Sequence, residues 1–261
     1  MATNGTANEQ SATNGGHTTH NISPKITLYT NHGCPFAQRA HITLDKLNLA
    51  YEEVIINLET PRPQWYLDIN PRGLVPTIMY SVPGVFDEEI ITESAIVAQF
   101  LCDSFPSHLL PASKESPSAA LTRARIAFFC HTWAEKISPS QFAVMRAESA
   151  EEKETKVKAT IALIEKEIEP LLANADPFFG GSKDLTFAEV FTAPFVQRWV
   201  ALAEDGEMVP RGLLEEMEKL PNLGRWTKAV LGHENATRIF EKEKSLEGSR
   251  RRLKKMREAQ K

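Results

Sequence analysis

The chain has 261 residues, of which 42% are hydrophobic and 25% are charged, and its formal net charge at pH 7 is −4. This length is sufficient for two modest domains, each with its own core. The slightly acidic balance argues against a nucleic-acid partner, and no apolar run approaches the length that crosses a bilayer. The three cysteines are an odd number without metal-ligand spacing, so we expect neither a disulfide framework nor a metal.

The two ends of the chain differ in composition from the middle. Residues 1–23 are rich in Asn, Thr, Ser and Gly and contain no Lys or Arg, so we expect a disordered tail rather than a targeting peptide. Residues 241–261 end in a basic run with seven Lys or Arg side chains against Glu258. We interpret this run as a solvated terminal helix or tail. A contact with RNA, a membrane surface or a nuclear import receptor is the alternative.

The first structured segment contains the strongest chemical signal of the chain. Residues 26–29 have the pattern of a short buried strand, and apolar residues then recur at helical spacing from Phe36. Cys34 therefore lies at a helix N-terminus, with Pro35 just inside it. Free backbone N–H groups and the positive end of the helix dipole favour an anion there, so the pattern predicts a reactive thiolate.

The segment lacks a second thiol, because Ala37 stands where a dithiol oxidoreductase would carry its other cysteine. A single thiol that attacks a disulfide needs an outside thiol to resolve the product, and glutathione is the natural candidate. The alternative is a cysteine that only begins a helix. Cys102 and Cys130 lie in helical patterns, and we expect both to be buried, small apolar residues.

The following segments complete an α/β domain, for which we place the boundaries at residues 24–105. They predict a buried strand over 51–57, a short helix over 63–69, a hairpin from 75–80 and 84–86, and a helix over 93–104. Residues 106–117 hold several prolines and serines and are typical of a linker.

Beyond the linker all signals are helical, so we predict an all-α domain over residues 118–240. A core-facing stripe steps at helical spacing from Val157 to Leu171. Thr186 and Glu189 have the spacing of a capping box at the start of a helix, and further helices are expected to begin at Pro210 and Pro221.

Several motifs together resemble the glutathione S-transferase family, over roughly residues 25–235. The segment 34–39, Cys-Pro-Phe-Ala-Gln-Arg, is similar to the cysteine-type, omega-like members, and we expect a fungal member. Segment 70–76 resembles the approach to the family's cis-proline. Glu93-Ser94 resembles its γ-glutamyl site, and the capping box falls where the family keeps one. The resemblance implies a thioredoxin-like N-terminal domain followed by an all-helical C-terminal domain.

The resemblance also implies the site residues, with glutathione as co-substrate. Cys34 would be the catalytic nucleophile. The glutathione-binding residues would be Phe36, Arg62, Val75, Pro76, Glu93 and Ser94. A cis peptide at Val75–Pro76 would leave the Val75 N–H and C=O free for the ligand's cysteinyl backbone, and Ser94 at a helix start can hold a carboxylate.

The second substrate is expected to bind between the domains, against the helix that follows the linker. Phe128, His131 and Trp133 are the candidate lining residues. By resemblance we further expect a cytoplasmic homodimer.

A cysteine competes with the glutathione thiolate and forms a mixed disulfide with it, so the expected reaction is thiol transfer or reduction. Two alternatives stay open. The first is conjugation of glutathione to an electrophile, for example in detoxification or secondary metabolism. The second is a non-catalytic, glutathione-binding regulator.

Overall fold

The computed structural model describes residues 24–259, so the predicted tail over 1–23 lies outside it. The first half contains seven helices and strands within this range: β1 (Lys25–Thr30), α1 (Pro35–Lys46), β2 (Glu52–Ile55), α2 (Gln64–Ile69), β3 (Thr77–Val82), β4 (Phe86–Thr92) and α3 (Ser94–Ser104). The strands form one sheet in the order β2-β1-β3-β4. β1 runs parallel to β2, whereas β3 is antiparallel to both of its neighbours. This is the thioredoxin-like arrangement that the resemblance implies.

The burial of the strands follows their place in the sheet. β1 lies inside, and five of its six residues are buried. The sequence predicted a buried strand over 51–57, but among the described residues β2 pairs only with β1, at the edge of the sheet, and Ile55 is 56% exposed. An apolar run alone cannot distinguish an edge strand from a central one, because both carry β-branched residues.

The second half is helical throughout the described range. Its α-helices are α4 (Pro117–Thr132), α5 (Ser138–Arg146), α6 (Ala150–Glu167), α7 (Phe187–Asp205), α8 (Gly212–Glu218), α9 (Pro221–Gly232), α10 (Glu234–Thr237) and α11 (Lys242–Ala259). A π-helical segment, Trp133–Ile137, joins α4 to α5 without a break. None of the described helices is both long and apolar enough to cross a membrane.

Helix α7 is the centre of this half, and its residues from Phe187 to Ala203 are all buried. The predicted capping box is confirmed, because the Glu189 carboxylate accepts the Thr186 N–H at 2.8 Å and Thr186 caps the helix start. Glu189 also accepts the Trp226 indole N–H at 2.6 Å. This buried carboxylate therefore joins the start of α7 to α9.

The basic C-terminal run is a helix, but it is not simply solvated. Leu246 of α11 is buried in the helical core, and Arg250 pairs with Asp205, the last residue of α7, and with Glu207 just after it. Helix α11 is therefore fixed across the end of α7.

Candidate active site

The turn between β1 and α1 fixes the position of Cys34. The Asn31 side chain accepts the Gly33 N–H at 3.0 Å and donates to the Ile56 carbonyl at 2.9 Å, while the Asn31 carbonyl accepts the Cys34 N–H at 2.9 Å. Cys34 is the N-cap of α1, Pro35 follows it in the first turn, and the thiol makes no capping hydrogen bond to the described chain. The free N–H groups at this helix start remain available to an anion.

The thiol faces the loop before β3. The Cys34 Sγ lies 3.9 Å from the Val75 carbonyl oxygen, and both residues are largely buried. The Val75–Pro76 peptide is cis, as the family resemblance implies. The Tyr66 hydroxyl donates to the Leu74 carbonyl at 2.5 Å and so fixes the loop that precedes β3. Within residues 24–259 the Val75 N–H has no hydrogen-bond partner, which leaves it available to an extended ligand.

Glu93 and Ser94 lie at the start of α3. Glu93 has a φ of 70°, a conformation that costs a residue other than glycine of order 1–3 kcal/mol and that clusters at ligand sites. Its carboxylate pairs with Arg72 at the surface. The buried Ser94 hydroxyl accepts a hydrogen bond from the Arg39 guanidinium at 3.0 Å. The start of α3 therefore combines a free helix end with a buried positive charge.

Arg62 has a structural role that the sequence did not predict. Its guanidinium donates to the backbone carbonyls of Gly73 at 2.9 Å, Asn57 at 2.7 Å and Thr60 at 2.6 Å. These bonds occupy most of its donors and tie the loop after β2 to the loop before β3. The positive charge of Arg62 can attract a nearby carboxylate, but most of its N–H donors are already used in these hydrogen bonds.

A cavity of about 480 Å³ opens beside the turn that carries Cys34, and we call it the interdomain cavity. Its walls come from the start of α1, from α5 and α7, and from α11. Phe36 stands at its edge, 43% exposed and in edge-to-face contact with Phe195 at 5.1 Å between ring centroids. The remaining lining includes Gln141, Phe142, Met145, Arg146, Arg198, Trp199, Leu202, Leu253 and Met256.

The three residues predicted for the acceptor pocket do not line this cavity. Phe128 is 58% exposed on the outer face of α4, and His131 is also exposed. Trp133 is buried in the helical core against Trp226, with ring centroids 6.1 Å apart. The chain continues through the π-helical segment before it reaches the cavity, so its wall is formed by α5 rather than by α4.

Sequence reasoning missed the residues that join the two halves at the site. Gln38 donates to Gln197 at 3.2 Å, and Arg198 donates to Gln38 at 2.5 Å. Arg198 also reaches the Gly33 carbonyl at 3.5 Å, so α7 contacts the turn next to Cys34. A signal was present, because Gln197-Arg198 interrupts an otherwise apolar stretch of α7. Polar side chains on a buried helix need partners.

Two buried arginines bring positive charge to the site, Arg198 beside the Gly33 carbonyl and Arg39 beside the Ser94 hydroxyl. Burial lowers the pKa of Arg39 to about 9 and that of Arg198 to about 10, and a negative Cys34 acts in the opposite direction on each. Both guanidinium groups therefore remain charged at neutral pH. A thiolate at Cys34 has two buried positive charges in its surroundings, in addition to the helix N-terminus.

One cluster in the described chain has donors suited to a metal ion. Ligand atoms of His32, His41 and Glu53 lie within 4.8 Å of one another. His32 Nε2 is hydrogen-bonded to Glu53 at 2.6 Å, and His41 Nε2 is 2.9 Å from the Thr30 hydroxyl. Burial lowers the pKa of His41 to about 4, so its ring is neutral near pH 7. Hydrogen bonds within the chain account for these contacts.

Comparisons with known proteins agree with this arrangement. Residues 28–111 match the glutathione S-transferase N-terminal domain, and residues 147–229 match the glutathione S-transferase C-terminal domain. The chain is 26% identical over 206 residues to glutathione S-transferase omega-1 of Mus musculus, covering 79% of this chain and 76% of that protein. It is 38% identical over 82 residues to pyrimidodiazepine synthase of Drosophila melanogaster, an alignment that spans 31% of this chain and 32% of that protein.

A solved structure extends the likeness to both halves. The crystal structure of glutathione transferase Omega 2C from Trametes versicolor superposes with a TM-score of 0.71 at 29% identity, covering 88% of this chain and 98% of that chain. The two domain matches occur in the order in which the sheet and the helices follow each other here. The chain therefore belongs to the glutathione S-transferase family, as an enzyme with a thioredoxin-like N-terminal domain and a helical C-terminal domain.

Proposed function

We propose that the chain is a cysteine-type, glutathione-dependent thiol transferase or reductase. The observation that carries this proposal is the placement of Cys34, at the N-cap of α1, 3.9 Å from the Val75 carbonyl and beside a cavity large enough for a second substrate. Similarity to omega-class relatives supports it. The fungal source and the cytoplasmic location expected from the sequence belong to the same proposal.

Glutathione would bind along the loop before β3 and the start of α3. The free Val75 N–H and its carbonyl can pair with the cysteinyl backbone of the tripeptide, as a strand edge pairs with an extended peptide. Ser94 and the helix start suit the γ-glutamyl carboxylate, and Glu93 suits its ammonium group. Arg62 would attract the glycyl carboxylate through its charge. Phe36 would border both glutathione and the second substrate.

The proposed cycle has two thiol–disulfide exchanges. The Cys34 thiolate attacks the glutathionyl sulfur of a mixed disulfide, so a Cys34–glutathione disulfide forms and the acceptor leaves as a thiolate with the bonding electron pair. A second glutathione thiolate then attacks the glutathionyl sulfur of that disulfide. Oxidised glutathione is released, and Cys34 returns to its thiolate form.

Conjugation of glutathione to an electrophile is the second candidate. The observation that favours it is the apolar part of the interdomain cavity, which includes Phe142, Met145 and Leu202 and would accommodate an aromatic electrophile. A side chain that forms a disulfide with glutathione competes with that reaction, which is why thiol transfer ranks first.

The deciding experiment measures glutathione-dependent reduction of a small mixed disulfide by the intact protein and by Cys34→Ser. We expect turnover by the intact protein and the buffer rate with the variant. After incubation with the mixed disulfide and without free glutathione, mass spectrometry should find one glutathionyl group on Cys34, with the other thiol of the mixed disulfide released. Cys102→Ser is the control, since burial raises the pKa of that thiol to about 12 and keeps it unreactive.

Two results would contradict thiol transfer. If only Cys34→Ser conjugates glutathione to an electrophile, the second candidate stands. Absence of any turnover, with glutathione still bound, would leave the non-catalytic regulator.

A homodimer is part of the proposal, as expected from the family. Large apolar side chains are exposed on the β3–β4 hairpin, on α3 and on α4, namely Val85, Phe86, Ile90, Ile96, Leu121 and Phe128. Burial of such side chains against a second copy would remove a sizeable apolar surface from water. Phe128 thus suits the dimer interface better than the acceptor site.

A further inference from the structure

Helix α11 forms one wall of the interdomain cavity and connects its two sides. At one end Arg250 pairs with Asp205 at 2.5 Å and with Glu207 at 2.6 Å. Further along, Lys255 lies 3.2 Å from Glu59, which belongs to the loop after β2. The basic C-terminal run therefore extends from the helical half to the glutathione-binding half, directly over the cavity.

The charge of this cavity is opposite in sign to that of the whole chain, which carries a net −4. Its lining includes five cationic side chains and two carboxylates, which are Arg146, Arg198, Lys244, Arg251, Arg252, Glu59 and Glu247. Both carboxylates lie within 4 Å of Arg251, at 3.8 and 3.7 Å. Within residues 24–259, neither Arg146 nor Arg252 has a carboxylate within salt-bridge distance. These two exposed cations remain available to an anion.

Deeper in the same lining, hydrogen-bond donors lack acceptors. Gln141 Nε2, Arg198 Nε and Trp199 Nε1 are buried nitrogens without a hydrogen-bond partner in the described chain, and all three side chains line the cavity. Buried donors are nearly always paired in folded proteins, and these three lie beneath the surface of α5 and α7, so acceptor oxygens of a ligand would reach them only after these side chains turn toward the cavity. The surrounding surface is aromatic and aliphatic, from Phe195 and Leu253 among others.

We infer that the second substrate is an amphipathic anion, with an aromatic or similarly apolar body and a carboxylate or sulfonate group that faces Arg146 and Arg252. The inference rests on the proposed function, because it names the substrate class of that same site. The apolar body would lie against Phe36 and Phe195, next to the turn of Cys34. The anionic group would lie toward α11 and the end of α5. A cavity of about 480 Å³ is in the range of such molecules.

The first test is binding, which does not depend on turnover. Titration calorimetry compares 2-naphthoate with the neutral 2-naphthalenemethanol, which has the same ring system. We expect the intact protein to bind naphthoate about 5-fold more tightly or better, and Arg146→Gln/Arg252→Gln to remove most of this preference. Raising the salt concentration should weaken naphthoate binding alone.

The matched control is Lys254→Gln/Arg257→Gln. It removes the same charge, and both of its residues are exposed on α11 but do not line the cavity. We expect this variant to keep the preference for naphthoate. Equal affinities for the two naphthalenes, or the same loss of preference in both double variants, would overturn the inference.

The second test is turnover of two mixed disulfides of glutathione, one with 4-mercaptobenzoate and one with 4-methylthiophenol. The ratio of their kcat/KM values should fall about 5-fold in Arg146→Gln/Arg252→Gln and stay constant in the control variant. If neither disulfide is turned over while naphthoate remains preferred, the proposed function fails and the anion site stands. If both are turned over with an unchanged ratio, the substrate class is wrong and thiol transfer stands.

Discussion

The two sides of the candidate site are built differently. The proposed glutathione side lies within residues 31–94, at the end of β1, before β3 and at the start of α3, where short loops hold each side chain in place. The interdomain cavity combines the start of α1 with α5, α7 and α11, segments more than 200 residues apart at the extremes. The first side depends on local backbone geometry, whereas the second exists only when both halves and the C-terminal helix are packed together.

Arg39 contacts both Ser94, on the glutathione side, and Phe191, on α7 of the helical half. Its replacement should therefore have the largest effect on stability. Its guanidinium donates to the Phe191 carbonyl at 2.8 Å, lies 3.5 Å from the Phe191 ring centroid and holds the Ser94 hydroxyl. Two charge-assisted hydrogen bonds and a buried cation–π contact are lost in Arg39→Ala. We expect the free energy of unfolding to fall by about 4 kcal/mol, measured by urea denaturation.

Arg72→Ala is the matched control, because Arg72 pairs with Glu93 from the surface and is largely exposed. Its effect should stay within about 1 kcal/mol. A similar loss in both variants would show that the Arg39 contacts between the halves add nothing to the free energy of unfolding. Glutathione affinity should also fall in Arg39→Ala, because Ser94 loses its buried partner.

The second prediction concerns His41, on the glutathione side, and the dependence of the free energy of unfolding on pH. His41 of α1 is buried, with the Thr30 hydroxyl at 2.9 Å, the Tyr51 hydroxyl at 3.1 Å and Glu53 at 3.5 Å. Burial lowers its pKa from the usual 6.5 to about 4, although Glu53 opposes this, and His32 and Arg238 lower it further. Between those two values the unfolded chain binds a proton that the folded chain does not.

The contribution of His41 to stability is therefore fully present above about pH 6.5 and is lost as the pH falls toward 4. The expected loss is about 3 kcal/mol, obtained from unfolding free energies across that range. His41→Gln should flatten this part of the pH profile. An equally steep profile in the variant would assign the acid sensitivity to other groups.

These contrasts explain how much of the molecule the sequence predicts. The placement of Cys34 at a helix start and the Thr186 capping box each depend on a few consecutive residues, and both are found. The cis peptide at Val75–Pro76, which the family resemblance implies, is found as well. The exposure of β2 depends on which strands pair beside it, and an apolar run carries no such information. Local patterns therefore predict the elements and the position of Cys34.

The interdomain cavity depends on contacts between distant segments, so local patterns could not place its lining. The aromatic residues Phe128 and Trp133 pointed to the helix after the linker, yet Trp133 begins the π-helical segment and packs inside the core, and Phe128 lies outside. The chain reaches the cavity only at Gln141 and beyond, after the π-helical segment. The basic run from Arg250 onward has a composition that suits solvent equally well, and packing of Leu246 together with the ion pairs of Arg250 brings it over the site.

The smallest predicted effect concerns Glu59, where the two sides meet across the surface. Glu59 accepts Lys255 at 3.2 Å and lies 3.8 Å from Arg251, and all three side chains are more than half exposed. Glu59→Gln should change the free energy of unfolding by at most about 0.5 kcal/mol, because exposed ion pairs are screened. Amide exchange near the end of α11 should nevertheless become faster, because this contact joins that turn to the glutathione side.

The control is Glu216→Gln, which breaks a comparable exposed pair with Lys219 at the end of α8 and should leave exchange in α11 unchanged. If the two variants behave alike, α11 is fixed by Leu246 and Arg250 alone, and the cavity wall is independent of the glutathione-binding half.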